Sequence, residues 1–270
     1  MPGVAIIDNN CFDKLEDLTA RRTFLGHLRA ADWVPQITEV NVLEAIAITS
    51  PVKRDRLVAV VRELVGSIPI LPWPLEMLAQ LGNAMIEGKT SHWVVASSFD
   101  SFLHSREGAL RVQEETAEFN RMIEKHYSEQ HDLHRVDIHG RMRNKKLRDP
   151  YTGVEHFLRD YWYASKTRAD FANVIWRGLK LAGDAPMEII DQCEPWRLFI
   201  DAEGVALYER AIATNQPKRI QRMDLMQLTY LGVAPKRVII TADAGLIRAA
   251  NAILPGRYRL ASAAHIDKLT

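Results

Sequence analysis

A chain of 270 residues with 47 % hydrophobic content can bury a sizeable core, as one large domain or two small ones. Its charged fraction of 26 % excludes disordered and fibrous classes, and a net charge of +1 argues neither for nor against a polyanionic partner. Two cysteines, Cys11 and Cys193, make neither a disulfide framework nor a four-ligand zinc set, and read as free thiols of a reducing cytoplasm.

The opening stretch MPGVAIIDNN has no basic n-region, and its apolar run is broken at Asp8, so no signal peptide is expected. No stretch approaches the ~20 apolar residues of a membrane span. The expectation is a soluble, cytoplasmic protein with no membrane partner. Val4 to Ile7 reads as a buried strand that ends at Asp8. Phe12 to Leu28 has helical spacing, and Trp33 to Ile37 reads as a second strand. Thr38 is placed as an N-cap before the apolar helical face of Val42, Leu43, Ile46 and Ala47, and Pro51 is expected to stop that helix. Arg56 to Val65 forms another helix. Ile68 to Leu71 is a third short strand whose prolines suggest an edge, and Pro74 to Glu87 is a helix started by proline.

This β-α-β-α-α-β-α order is the signature of a parallel α/β sheet. It resumes late, with helices at Gly204 to Ala213 and Asp224 to Leu231. A clear buried strand follows at Arg237 to Thr241, then Asp243, a helix at Ala244 to Leu254, and a last strand at Tyr258 to Ala261. Between lies a stretch of different character, residues 89–203, mostly helical by spacing, with a strand pattern only at Trp93 to Ala96. It holds seven of the nine histidines. It also holds a basic island: six Lys or Arg between Arg135 and Arg148 against Asp137, a local balance of +5 that leaves about −4 for the rest. Such an island is the footprint of a polyanionic partner or simply a solvated helix; Arg141, Arg143, Lys145 and Lys146 are its centre.

Two apolar strands that each end in Asp form the informative constellation. In an open parallel sheet, ligands bind beyond the carboxyl ends of the strands where the strand order reverses. Asp8 and Asp243 stand there side by side if their strands are neighbours, and both stay ionised only with a cation between them. Glu44, about two turns into its helix, and Asp224, which opens the helix before the Val238 strand, can join them. Four hard oxygen donors without His or Cys suit Mg²⁺ or Mn²⁺ rather than zinc. Such ions are what phosphodiester hydrolysis asks for. The chain has no GxSxG, P-loop or dinucleotide glycine signature.

Val4-Ala-Ile-Ile-Asp8 resembles the first strand of the PIN-domain metal-dependent ribonuclease family, with its catalytic Asp. Ile37-Thr-Glu-Val-Asn-Val-Leu-Glu44 is similar to the family's second segment, in which a Ser or Thr precedes the metal-binding Glu by six positions. Met223 to Gly232 followed by Val238-Ile-Ile-Thr-Ala-Asp243 resembles its "D-x-x-x-x-x-x-A … T-x-D" signature. The resemblance implies an α/β fold with a five-stranded parallel sheet of order 3-2-1-4-5, flanked by helices. It also implies divalent-ion-dependent endonucleolytic cleavage of RNA, with Asp8, Glu44, Asp224 and Asp243 as catalytic metal ligands. Thr241 would be a hydroxyl that orients a carboxylate, and Asn9 a neighbour of the site. It covers residues 1–88 and 204–270, so that 89–203 becomes a helical insertion into a discontinuous nuclease domain. Two departures stand out: compact PIN toxins lack so large an insertion, and Thr229-Tyr230 replaces a usual small residue in the Asp224 helix. RNA is the expected partner, with a protein inhibitor or a second copy of the chain left open.

Several readings compete. Glu39 rivals Glu44, but the two stand about 140° apart on a helix and do not face one site; Glu44 is preferred. Asp13, Asp17 and Asp201 read as surface residues, Asp201 as the cap of the helix near Gly204. His126, His131 and His134 only loosely suggest metal spacing. Tyr161-Trp-Tyr163 is a base-stacking platform or, more commonly, core. The whole chain can also be a PIN-fold RNA- or protein-binding module with poor metal binding, or a DNA-directed nuclease with the same acids.

Overall fold

The computed structural model describes residues 3–64, 70–89, 121, 151–211, 222–233 and 236–254, with the backbone alone at 209–211, 222–224 and 233. Three short parallel strands form the described sheet: β1 (Gly3–Ile7), β2 (Trp33–Gln36) and β3 (Arg237–Ile240), in the order β2-β1-β3. β1 is central, with Gly3 opposite Trp33 on one side and Ile7 opposite Ile240 on the other. Its unbroken apolar run is what a strand covered on both faces requires. Pro35 has no N–H to give and sits in β2, at the edge of the described strands.

A five-stranded sheet is not seen among the described residues. The expected third strand contributes one parallel bridge, Leu71 to Thr38, and Tyr258 to Ala261 lies outside the described residues, as does Trp93 to Ala96. The chain is a helix-rich α/β structure around a small parallel sheet.

Helices supply the rest. After a 3-10 turn at Asn9–Cys11 come α1 (Phe12–Leu15) and α2 (Leu18–Ala30) in place of one continuous helix. The break is at Asp17, whose exposed side chain caps α2 by accepting from the Ala20 N–H at 2.7 Å. Next are α3 (Glu39–Ile46), α4 (Pro51–Leu64) and α5 (Pro74–Ile86). Pro51, expected only as a stop, also opens α4, where its missing N–H costs nothing. Then follow α6 (Val154–Phe157), continued by a π turn at Leu158–Trp162, and α7 (Lys166–Gly178), α8 (Met187–Gln192) and α9 (Glu194–Ala211). Last are α10 (Arg222–Gln227), extended by 3-10 turns over Leu228–Val233, and α11 (Ala244–Ile253).

Strand periodicity divides the core into two. Ala5, Ile7, Val238 and Ile240 face Phe12, Phe24, Leu28, Leu43, Val60 and Leu64. Ile6 and Ile239 face the opposite way, against α5, α9 and α11 and a layer built around Trp162, Trp176 and Trp196. All three indoles are fully buried. At about 25 cal/mol per Å² and roughly 200 Å² per ring, each supplies about 5 kcal/mol of transfer free energy. Trp196 also donates Nε1–H to the Leu78 carbonyl at 3.1 Å, tying α9 to α5. The described helices after residue 151 therefore share one core with the sheet, and α9 runs through the expected boundary at 203/204.

Two expectations fail here for one reason. Gly204 does not start a helix but lies inside α9, where a Cβ would come 2.8 Å from the Trp162 ring. Asp201, expected as a surface cap, is fully buried in the same helix. It accepts from Arg168 Nε at 3.1 Å and from the Tyr163 hydroxyl at 3.3 Å, with Arg197 at 3.6 Å. Burial pushes its carboxyl up, and the two guanidiniums and the hydrogen bonds pull it back. Trp162 is core, Tyr161 stacks on Phe157, and the Tyr163 hydroxyl donates to Asp201 while its side chain stays 47 % exposed. Asp201→Ala leaves the buried Arg168 with Asp191 as its remaining ion-pair partner among the described residues and is expected to cost about 1–3 kcal/mol of stability, read from urea denaturation; a loss under about 0.5 kcal/mol would show that the pair is dispensable.

Candidate functional site

Because β1 pairs with β2 on one side and β3 on the other, strand order reverses at β1, and the carboxyl ends of β1 and β3 open a crevice. Asp8 follows β1 directly, and its N–H donates to the Ile240 carbonyl at 2.9 Å, extending the ladder by one bond. Its buried carboxylate takes neutral donors, among them the Asn9 backbone N–H. Oδ2 accepts from the Thr241 hydroxyl at 2.6 Å and from Asn10 Nδ2 at 2.6 Å, and Oδ1 accepts from Gln227 Nε2 at 3.2 Å. Burial raises its pKa, the donors oppose that, and the charge of Asp243 raises it further.

Asp243, half-buried beyond β3, caps α11 by accepting from the N–H groups of Gly245 at 2.5 Å and Leu246 at 3.1 Å. Thr241 links the two acids: its hydroxyl donates to Asp8 and accepts from the Asp243 N–H at 3.0 Å. Asn10 clasps the same strand ends, donating to Thr241 at 3.0 Å and accepting from the Ala242 N–H at 2.8 Å.

Glu44 arrives from α3. Thr38 is the N-cap, and its hydroxyl accepts from the Asn41 N–H while Asn41 Oδ1 accepts from the Thr38 N–H at 2.8 Å, a reciprocal capping box. With its oxygen engaged there, Asn41 directs Nδ2 to Asn9 Oδ1 at 3.0 Å. Asn9 then directs its own Nδ2 to Glu44 Oε2. A backbone N–H thus sets the direction of every amide up to the Glu44 carboxylate. Burial raises the Glu44 pKa, Asn9 opposes it, and the charge of Asp8 adds to it. Glu39, the rival, turns away and accepts from the Trp73 N–H at 2.8 Å.

The crevice therefore gathers Asp8, Glu44 and Asp243, each of the latter two coupled to Asp8 through its charge, together with Thr241 and Asn9. Asp224 lies in α10 one turn before Gln227, with its side chain outside the described residues. Also outside are Arg141, Arg143, Lys145 and Lys146, and His126, His131 and His134. Sequence reasoning missed Asn10, Asn41 and Gln227. The box spacing from Thr38 to Asn41 and the one-turn spacing from Asp224 to Gln227 were the available signals.

Two features bear on whether these residues could hold a hard divalent ion. Among the described residues, no Lys or Arg is paired with Asp8, Glu44 or Asp243, so their mutual repulsion has no cationic answer. Gln227 is buried, and its Oε1 has no hydrogen-bond partner among the described residues. The acids are not gathered into a ready ligand cage: among the described residues no three Asp, Glu, His or Cys side chains form one, and amides of Asn9, Asn10 and Gln227 stand on the carboxylates. Among the same residues no helix is long and apolar enough to cross a membrane. Comparison with protein-family models, with curated proteins and with solved structures found no match.

Glu39 offers a test of how burial acts at this edge. Its carboxyl is pushed from 4.5 up to about 7, first by burial, with the Trp73 N–H opposing and Glu76 adding to the rise. The folded state holds this proton more tightly than the unfolded chain. Its contribution to stability is thus full below the unfolded value and is lost as pH rises through about 7. Glu39→Gln keeps an acceptor for Trp73 and removes the charge. Calorimetry should find its melting temperature above wild type near pH 8 and equal to it near pH 4. A pH-independent difference would show that Glu39 does not titrate across this window.

Proposed function

We propose that this chain is a divalent-cation-dependent endoribonuclease of the PIN-domain type. In this reading β2-β1-β3 is the centre of a five-stranded sheet of order 3-2-1-4-5, and residues 89–203 are an insertion. Asp8, Glu44, Asp224 and Asp243 would hold Mg²⁺ or Mn²⁺. The observation that carries the reading is a set of mutually repelling, buried or half-buried carboxylates at the strand-order reversal, with no cationic side chain paired to them among the described residues. Bound there, the cations would polarise a phosphate oxygen and supply a hydroxide at neutral pH. The chain's own part is to present the acids in fixed directions. Thr241 and Asn10 hold Asp8 Oδ2, the Thr38-Asn41-Asn9 series holds Glu44, and the α11 N-terminus holds Asp243.

The three amides on the acids favour a second reading, a module of the same fold that binds RNA or protein and holds cations weakly. One experiment separates the two. Wild type should cleave single-stranded RNA in Mn²⁺ or Mg²⁺, EDTA should silence it, and Asp8→Asn should abolish cleavage. Because that change relieves repulsion and burial of charge, the melting temperature of Asp8→Asn in EDTA should hold or rise. RNA binding without cleavage in either cation selects the module.

The basic run is assigned to steering RNA through its phosphates. Such contacts release counterions, so changing Arg141, Arg143, Lys145 and Lys146 to Ala should weaken RNA binding and flatten its dependence on salt. The saturated cleavage rate should change little. An unaltered salt slope would remove the run from the RNA-binding surface.

A further inference from the structure

An RNA strand that approaches Asp8, Glu44 and Asp243 brings its phosphates toward charges of their own sign, so the contacts that hold it have to come from cations beside the crevice. α1 leaves the crevice after Asn10 and carries Lys14; α11 leaves it after Asp243 and carries Arg248. α3, which carries Glu44, has no Lys or Arg. The 3-10 turn that holds Asn9 and Asn10 runs into α1 with helical backbone, Cys11 at φ −86°, ψ −21° and Phe12 at φ −65°, ψ −36°. Residues four apart on such a stretch share a face, which sets Lys14 one turn beyond Asn10. Its neighbour Asp13 is turned to Lys53 of α4 at 3.0 Å, whereas Lys14 makes no ion pair among the described residues. The charge of Lys14 reaches Cys11, where it opposes that of Asp8. On the other side, Arg248 folds back one turn to donate to the Ala244 carbonyl at 3.3 Å, which lays its guanidinium along the start of α11. Asn10 Oδ1 accepts from the Ala242 N–H at 2.8 Å and so clasps the two helix starts together. Asn10, Lys14, Ala242, Ala244 and Arg248 are all exposed. The strip between the two cations is thus an amide and two methyl groups, low enough for a sugar–phosphate backbone to lie on it.

We propose that Lys14 and Arg248 form a phosphate-docking rim at the mouth of the crevice, one on each side of the Asn10–Ala242 clasp, and that single-stranded RNA is its occupant. Both are substrate-positioning residues. They offset the repulsion between the strand and the acids and fix where the strand lies, and the bond to be cut is left to the crevice. The two cations suit different parts of that task. Lys14 is a compact charge on a flexible stem that can follow a phosphate, and Arg248 presents a planar fork that can take two oxygens of one phosphate. Each hangs from a helix anchored in the core, α1 through Phe12 and Leu15 and α11 through Leu246, Ala249 and Ala250, all buried, so the separation of the two is set by the fold.

The rim takes RNA as its occupant from the function proposed above, and the test keeps the two apart. Binding of a fluorescein-labelled single-stranded RNA to the full chain is followed by anisotropy at several salt concentrations in EDTA. The proteins are wild type, Lys14→Gln, Arg248→Gln and the double variant. Arg29→Gln is the control, since the end of α2 lies at the start of β1, the opposite end of the strands. Each rim change should weaken binding by about threefold to tenfold and flatten log K against log salt by about 0.7, the share of one phosphate contact on a single strand. The double variant should show both losses, and Arg29→Gln neither. In Mn²⁺ the KM for RNA should rise with the loss of affinity while kcat stays within about twofold of wild type. Melting temperatures should match wild type, because both side chains are exposed. Wild-type affinity and salt slope in the double variant overturn the rim, as does an equal loss in Arg29→Gln. A fall in kcat at unchanged KM overturns it as well, because positioning charges act on binding. A wild type that binds RNA through both cations but cleaves none in Mn²⁺ or Mg²⁺ overturns the nuclease reading and leaves the rim as the contact of an RNA-binding module. A wild type that binds no RNA in EDTA or in either cation overturns both.

Discussion

The parallel pairing of β1 with β3 is the contact on which the crevice depends. Ile7 lies opposite Ile240, and the next bond of the ladder is made by the N–H of Asp8 itself. That register sets Asp8 beside Thr241 and leaves Asp243 two residues further on, at the start of α11. A slip of one residue would turn every side chain of β3 to the other face. It would exchange Ile239 between the two cores and carry Thr241 away from Asp8. The apolar alternation that fills both cores is therefore also what aligns the polar strand ends.

The chain meets the problem of a buried carboxylate in two ways. Asp201 sits in α9 with Arg168 and Arg197 on it, so its charge is answered by charge. Among the described residues Asp8 is answered by neutral donors alone: Thr241, Asn10, Gln227 and the Asn9 backbone N–H. Hydrogen bonds to neutral groups offset part of the cost of burying an ion, and the nearby charges of Asp243 and Glu44 add to what remains. The first arrangement is closed and structural. The second keeps an unmet electrostatic demand at the mouth of a crevice, the condition under which a divalent cation is attractive.

Amide direction is the other thread. Thr38 caps α3, and the same box commits the Asn41 oxygen to the Thr38 N–H. The Asn9 amide is then oriented by Asn41, and Glu44 by Asn9. A local helix start is thus coupled to a side chain two turns away and to the residue after β1. Gln227 lacks any such commitment of its oxygen among the described residues, and is tied to the crevice only through its N–H₂ group on Asp8.

What the sequence determined by itself was local and periodic. The strands at 4–7 and 237–240, the cap at Thr38, the proline start of α5 and the placing of an acid after each inner strand rest on preferences felt within a few residues. That Glu44 and Glu39 turn to different partners was legible for the same reason, since helical angle alone sets them apart. Tertiary structure decided what those preferences do not encode. Asp201 reads as a cap until Trp162 packs against Gly204 and brings Arg168 within reach. Asp17 breaks a run of helical spacing because its side chain takes the Ala20 N–H. Gln227 looks like any polar residue on a short helix until folding carries it across 219 positions to Asp8. Periodicity reports which face of an element is apolar, whereas a hydrogen bond between distant residues exists only after two faces have packed, and its partners leave no shared pattern in the chain.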